Sequence, residues 1–155
     1  MDDNLCTLRE AILANNVNQA QNGCPNPNGT ITFANSLLNS SVGETIIISN
    51  SPLPTITANV EILGLGSDKL TVNGNNQFRV FDISSNLKVT IAGLTIANGI
   101  TPTDGNAFNQ SGGGIRAGEE TNLILRDSTL SGNNSGSDGG PSLWLSNGEQ
   151  QHYGR

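Results

Sequence analysis

The chain has 155 residues, a mass of 16.1 kDa and a formal net charge of −6, with 34% hydrophobic and only 4% aromatic residues. Its 7 basic residues form no patch able to neutralise phosphates, which argues against nucleic-acid binding, and no apolar run approaches the roughly 18 residues of a membrane span. Asn (22 residues) and Gly (19) together exceed a quarter of the chain, and both favour turns over helix interiors, so the composition predicts many short strands joined by tight turns.

The opening, Met1-Asp2-Asp3-Asn4, has neither a basic n-region nor an apolar h-region, so the chain either lacks a signal peptide or begins after one. Cys6 and Cys24 have no further thiols or histidines with which to build a zinc site. They are either a disulfide or two unpaired thiols, and the secreted character of the composition favours the disulfide. Thr7-Leu8-Arg9-Glu10 reads as a capping box, in which the Thr7 hydroxyl accepts from the Glu10 amide and Glu10 reaches back to Thr7. Leu8, Ala11 and Ile12 follow at helical spacing with Ala14 beside them, until Asn15-Asn16 weakens the helix and the segment from Asn18 to Gly29 ends it. Residues 1–29 are therefore a capping helix and loop, whose apolar face must cover something because two or three turns are not stable alone.

From Thr30 the pattern changes to period two. Short runs rich in Ile, Val, Leu and Thr recur at Ile31–Phe33, Thr45–Ser49, Val60–Leu63, Leu70–Asn73, Val80–Ile83, Lys88–Ile91, Leu94–Ala97, Ile115, Asn122–Leu125 and Thr129–Ser131. They repeat. Val89–Ala97 aligns with Leu123–Ser131 at an offset of 34, and Leu70–Asn73 aligns with Leu94–Ala97 at an offset of 24. Strand pairs repeating at this period predict a solenoid of stacked coils over residues 30–140. Leu70, Val72, Leu94, Ile96 and Leu130 would point inward, with Phe33, Phe78 and Phe81 filling wider layers. Thr71, Thr95 and Thr129 would form an outward column, which is either a ladder of β-branched residues stabilising the stack or a flat binding face of the kind that binds ice. Residues 141–155 repeat no earlier coil and read as an atypical tail or cap. Leu143, Trp144 and Leu145 would either fold over the open end or mediate self-association there.

Cys6-Thr7-Leu8-Arg9-Glu10-Ala11-Ile12, followed by Ala14-Asn15 and Ile31-Thr32-Phe33, resembles the opening of bacterial surface proteins of the CSLREA type. Gly93-Leu94-Thr95-Ile96-Ala97-Asn98-Gly99, Gly112-Gly113-Gly114-Ile115 and Asp127-Ser128-Thr129-Leu130-Ser131-Gly132-Asn133 agree with it, so the likeness covers roughly residues 5 to 140. The resemblance implies an all-β fold, a right-handed parallel β-helix of the pectate-lyase-like superfamily with an N-terminal α-helical cap. It also implies a secreted or cell-surface protein.

Pectin-degrading enzymes on such scaffolds place acidic residues on adjacent outward positions, to hold calcium or to act as an acid–base pair. Candidates here are Asp82, outward in Val80–Ile83, and Arg126-Asp127 after Leu125; Asp104, Asn106 and Asn109 in the long loop would hold Ca2+. Glu61 falls in line with Thr90 and Ile124, not with another acid, and Asp127 with Gly93, so no column of carboxylates forms. The first expectation is a non-catalytic structural or adhesive module touching glycans or extracellular matrix. The alternative is a secreted, Ca2+-assisted hydrolase or lyase acting on a polysaccharide or a small ester or lactone, and the third reading is a fragment with no function of its own.

Overall fold

The computed structural model of the chain describes residues 5–39, 41–101, 111–135 and 143–145. The helix forms as its capping box predicts. Helix α1 (Leu8–Val17) starts on Thr7, which accepts from the Glu10 amide while the Glu10 carboxylate accepts from the Thr7 amide, and it ends on Asn18 in the left-handed conformation. Leu8, Ile12 and Ala14 are buried, and the Cys6–Cys24 disulfide ties the start of the helix to the loop that follows it. Closing an 18-residue separation in this way contributes about 3 kcal/mol, chiefly by restricting the unfolded chain. Asn15 and Asn16, which weaken the helix as an isolated element, dock it. The Asn15 amide donates to the Asn59 carbonyl, and the Asn16 side chain both donates to the Thr55 carbonyl and accepts from the Thr57 amide.

Among the described residues eleven short strands follow, paired in parallel and arranged in three sheets. The first sheet holds β1 (Thr30–Thr32), β3 (Val60–Leu63), β6 (Lys88–Ala92) and β9 (Asn122–Arg126), in that spatial order. In the second, β2 (Glu44–Ile47), β4 (Leu70–Asn73), β7 (Thr95–Ala97) and β10 (Thr129–Ser131) lie side by side. The third contains β5 (Phe81–Ile83), β8 (Ile115–Ala117) and β11 (Leu143–Leu145). A short 3-10 helix, Asn35–Asn39, lies between β1 and β2 and has no counterpart in the sequence expectations. From β3 onward the chain visits the three sheets in rotation. Val89 pairs with Leu123 and Thr95 with Thr129, the offset of 34, while Thr71 pairs with Thr95, the offset of 24.

This hydrogen bonding corrects the expected fold class. In place of an all-β, right-handed parallel β-helix, the described residues form three small open parallel sheets and an α-helix, and the combination of parallel sheets with a helix points to an α/β fold. The physical reason lies at the corners. Several runs of three to five residues are followed directly by Gly, Asn or Asp in the left-handed region, such as Gly93, Asn98 and Asp127, so each ladder is interrupted and no sheet closes. At the C-terminal end of the described residues, Leu143–Leu145 pairs with β8 as a further parallel strand of the third sheet.

Inward positions build aliphatic columns. Val60, Val89 and Leu123 stack in the first sheet, as do Ile62, Ile91 and Leu125, while Val72, Ile96 and Leu130 stack in the second. Val72, Ile91, Leu94 and Ile96 are fully buried, whereas Leu123, Leu125 and Leu130 in the last strands are only half-buried. Phe81 is buried, and Phe33 and Phe78 pack against the core from its margin. Each buried aliphatic side chain contributes about 1.5–3 kcal/mol, so the columns dominate the stability. Some corners admit no side chain at all: a Cβ on Gly113 would overlap the backbone of Asn134. Leu94→Ala is expected to lower the unfolding free energy by about 3 kcal/mol in a denaturant titration. Gly113→Ala, which must push backbone aside, is also expected to destabilise.

Candidate functional site

The third sheet holds the one enclosed charge cluster among the described residues. Period-two alternation buries Phe81 and Ile83 and turns Asp82 outward. Parallel register sets Asp82 directly beside Arg116 of β8. The Arg116 Nε donates to Asp82 Oδ1 at 2.6 Å and its Nη2 donates to Oδ2 at 3.0 Å, a two-point charge-assisted contact. Thr55 donates its hydroxyl to Oδ2 at 3.1 Å, and Arg79 Nη1 lies 3.5 Å from Oδ1. Arg79 itself is only 7% exposed, and it donates from Nε to the Gly112 carbonyl and from Nη2 to the Ser111 carbonyl. A groove of about 360 Å³ opens beside the cluster, lined by Pro52, Leu53, Thr55, Gln77, Phe78, Arg79 and Asp82.

This arrangement fastens three segments. Asp82 joins strands β5 and β8 with the segment at Thr55, and Arg79 extends the tie to residues 111–112. Both oxygens of this carboxylate are engaged, by Arg116 and Thr55 through hydrogen bonds and by Arg79 as an ion pair, so its role here is to fasten neighbouring segments. The signal for this partnership was in the chain: Asp82 and Arg116 are 34 residues apart, the same offset that relates Val89 to Leu123.

The other candidates are dispersed. Arg126 ends β9 and is exposed, while Asp127 occupies the corner before β10 with φ +50°. Gly93 holds the equivalent corner three strands earlier, between β6 and β7, with φ +64°, so the conformation there accounts for a residue that tolerates the left-handed region. Glu61 pairs with Thr90 on one side and Thr30 on the other, and Thr90 with Ile124. A cavity of about 340 Å³ at this face includes Glu61, Lys88 and Asn122. Asp82 lies on the third sheet, whereas Asp127 lies at the corner between the first and second sheets. Asp104, Asn106 and Asn109 lie outside the described residues. Among the described residues, no group of three or more His, Cys, Asp or Glu side chains converges, and no helix is long and apolar enough to cross a membrane.

The threonine column is longer than expected. Thr71, Thr95 and Thr129 stand in register, and Thr45 of β2 adds a fourth rung beside Thr71. Two residues further along the same strands, Ile47, Asn73, Ala97 and Ser131 stand in register, and of these Ala97 is buried. Thr45 was hidden because its offset to Thr71 is 26, neither of the two offsets that the repeats display. An apolar cavity of about 390 Å³ lies elsewhere, between α1 and the 3-10 helix, with Leu8, Ala11, Ile31, Phe33, Leu37 and Ile46 among its walls.

Asp82→Asn is expected to cost about 3 kcal/mol of unfolding free energy, because Arg79 and Arg116 lose their counter-charge in a part-buried setting. Asp127→Asn is expected to stay within about 0.5 kcal/mol of the parent, since asparagine also accepts the left-handed corner. Both are read from denaturant midpoints at neutral pH. Compared with known proteins, the chain matches no family model, no curated protein and no solved structure.

Proposed function

We propose that the chain is a non-catalytic, secreted or cell-surface module, structural or adhesive, that contacts glycans or extracellular matrix through its outer faces. The observation that carries this reading is the state of Asp82. It is the more enclosed of the two acidic candidates among the described residues, Asp82 and Asp127, and both of its oxygens are committed to Arg116, Arg79 and Thr55. Chemistry of the acid–base kind needs carboxylates placed against substrate with room for a proton or a water, and this one is a fastener. The Cys6–Cys24 disulfide supports an oxidising compartment, in keeping with the resemblance of the chain's opening to CSLREA-type surface proteins.

Purified protein retained on immobilised glycans or matrix proteins, without release of products from a panel of polysaccharides and esters, is the expected result. Turnover by the parent that Asp82→Asn abolishes while the fold persists would contradict it. Reduction of the disulfide is expected to remove about 3 kcal/mol of stability, seen as a lowered melting temperature under reductant.

A further inference from the structure

Among the described residues asparagine stands directly before glycine four times, at Asn22-Gly23, Asn28-Gly29, Asn73-Gly74 and Asn98-Gly99. The dipeptide has a chemistry of its own. Glycine carries no Cβ, so its amide nitrogen can approach the side-chain carbonyl carbon of the asparagine before it. The fold puts the four copies in two opposite situations.

At Asn73 and Asn98 the linking peptide is clamped on both sides. The Asn73 carbonyl accepts from the Ile48 amide at 2.8 Å, and the Gly74 amide donates to the Ala97 carbonyl at 2.8 Å. The Asn98 carbonyl accepts from the Asn76 amide at 2.9 Å, and the Gly99 amide donates to Asn133 Oδ1 at 2.7 Å. Asn73 Oδ1 is occupied as well, accepting from the Asn75 amide. Gly74 and Gly99 are buried, each packed so closely that a Cβ would overlap neighbouring backbone.

Asn22 and Asn28 are exposed and sit in two-residue turns. Asn22 has φ +42° and Gly23 +78°, while Asn28 has +47° and Gly29 +79°. The bonds that hold these turns lie at their flanks: Gln21 and Cys24 exchange backbone bonds, and the Thr30 amide donates to the Pro27 carbonyl. Neither the carbonyls of Asn22 and Asn28 nor the amides of Gly23 and Gly29 make a hydrogen bond among the described residues. Space beside Gly29 is open. The peptide at the centre of each turn can therefore rotate without breaking any bond of the fold.

We propose that Asn22 and Asn28 are sites of spontaneous deamidation in the folded protein, and that Asn73 and Asn98 are protected from it. The amide nitrogen of the following glycine loses its proton to solvent and bonds to the asparagine Cγ. The bond from Cγ to the side-chain nitrogen breaks, and ammonia leaves with a proton taken from water. A second water opens the resulting succinimide ring at either carbonyl, giving aspartate or isoaspartate. Each event adds one negative charge to a chain already at −6. Isoaspartate also lengthens the main chain by a methylene. At position 28 that change falls next to the Gly29 carbonyl, which accepts from the Glu61 amide at 2.8 Å at the head of the β1–β3 ladder. At position 22 it falls inside the loop closed by the Cys6–Cys24 disulfide.

The test incubates the full chain, disulfide intact, in warm neutral buffer and follows each asparagine by peptide mapping. Electron-transfer fragmentation tells aspartate from isoaspartate, and rates are read at early conversion, before the products alter the fold. Asn22 and Asn28 are expected to convert at least about tenfold faster than Asn73 and Asn98. In denaturant the four rates are expected to converge, since each asparagine then precedes an unrestrained glycine. Loss of Asn73 or Asn98 from the folded chain as fast as loss of Asn22 and Asn28 overturns the proposal. So does persistence of Asn22 and Asn28 in the folded chain for as long as Asn73 and Asn98, with conversion only in denaturant, since the turns would then protect as well as the ladders do.

Discussion

In-register parallel pairing between successive passes of the chain is the constraint on which the rest of the structure depends. Because side chains alternate across a strand, register decides at one stroke which residues form columns inside and which form columns outside. Val72 beside Ile96, and Val89 beside Leu123, are consequences of the same offsets that set Thr71 beside Thr95 and Asp82 beside Arg116. A slip of one residue would expose the aliphatic columns and bury the threonines. The buried columns help to hold the register because a one-residue slip would turn the buried Ile91 and Ile96 toward water.

Polar groups near this core are tied rather than reactive. A buried arginine is costly unless paired, and Arg79 meets that demand with two backbone carbonyls and the Asp82 carboxylate. The helix is attached by the same means. Arg9 donates to the carbonyls of Ser51 and Pro52, and Asn15 and Asn16 engage backbone groups between Thr55 and Asn59. Residues that lower helix propensity thus serve as the contacts that dock the helix on the segment between β2 and β3.

Local features were legible in the sequence and long-range ones only partly so. The capping box of Thr7 and Glu10 was readable because it is complete within four residues. Strands such as Val60–Leu63 and Leu70–Asn73 were readable because alternation and flanking turn residues agree. The two repeat offsets were visible wherever aliphatic residues recur. Fold class was misjudged, since periodicity locates strands without showing whether the sheets they form join or close. Thr45 was missed because the passes of the chain differ in length, and the Asp82–Arg116 contact because the repeat was traced through apolar residues alone. The 3-10 helix at Asn35–Asn39 had no periodic signal to offer.

The register is tested most directly by nuclear Overhauser contacts between backbone and side-chain protons of neighbouring strands in the isotopically labelled protein. The account predicts contacts of Thr71 with both Thr45 and Thr95, of Glu61 with Thr90, and of Asp82 with Arg116, all within one set of spectra. Contacts shifted by one or two residues along any of these pairs would contradict it, and with it both the threonine column and the fastening of Asp82.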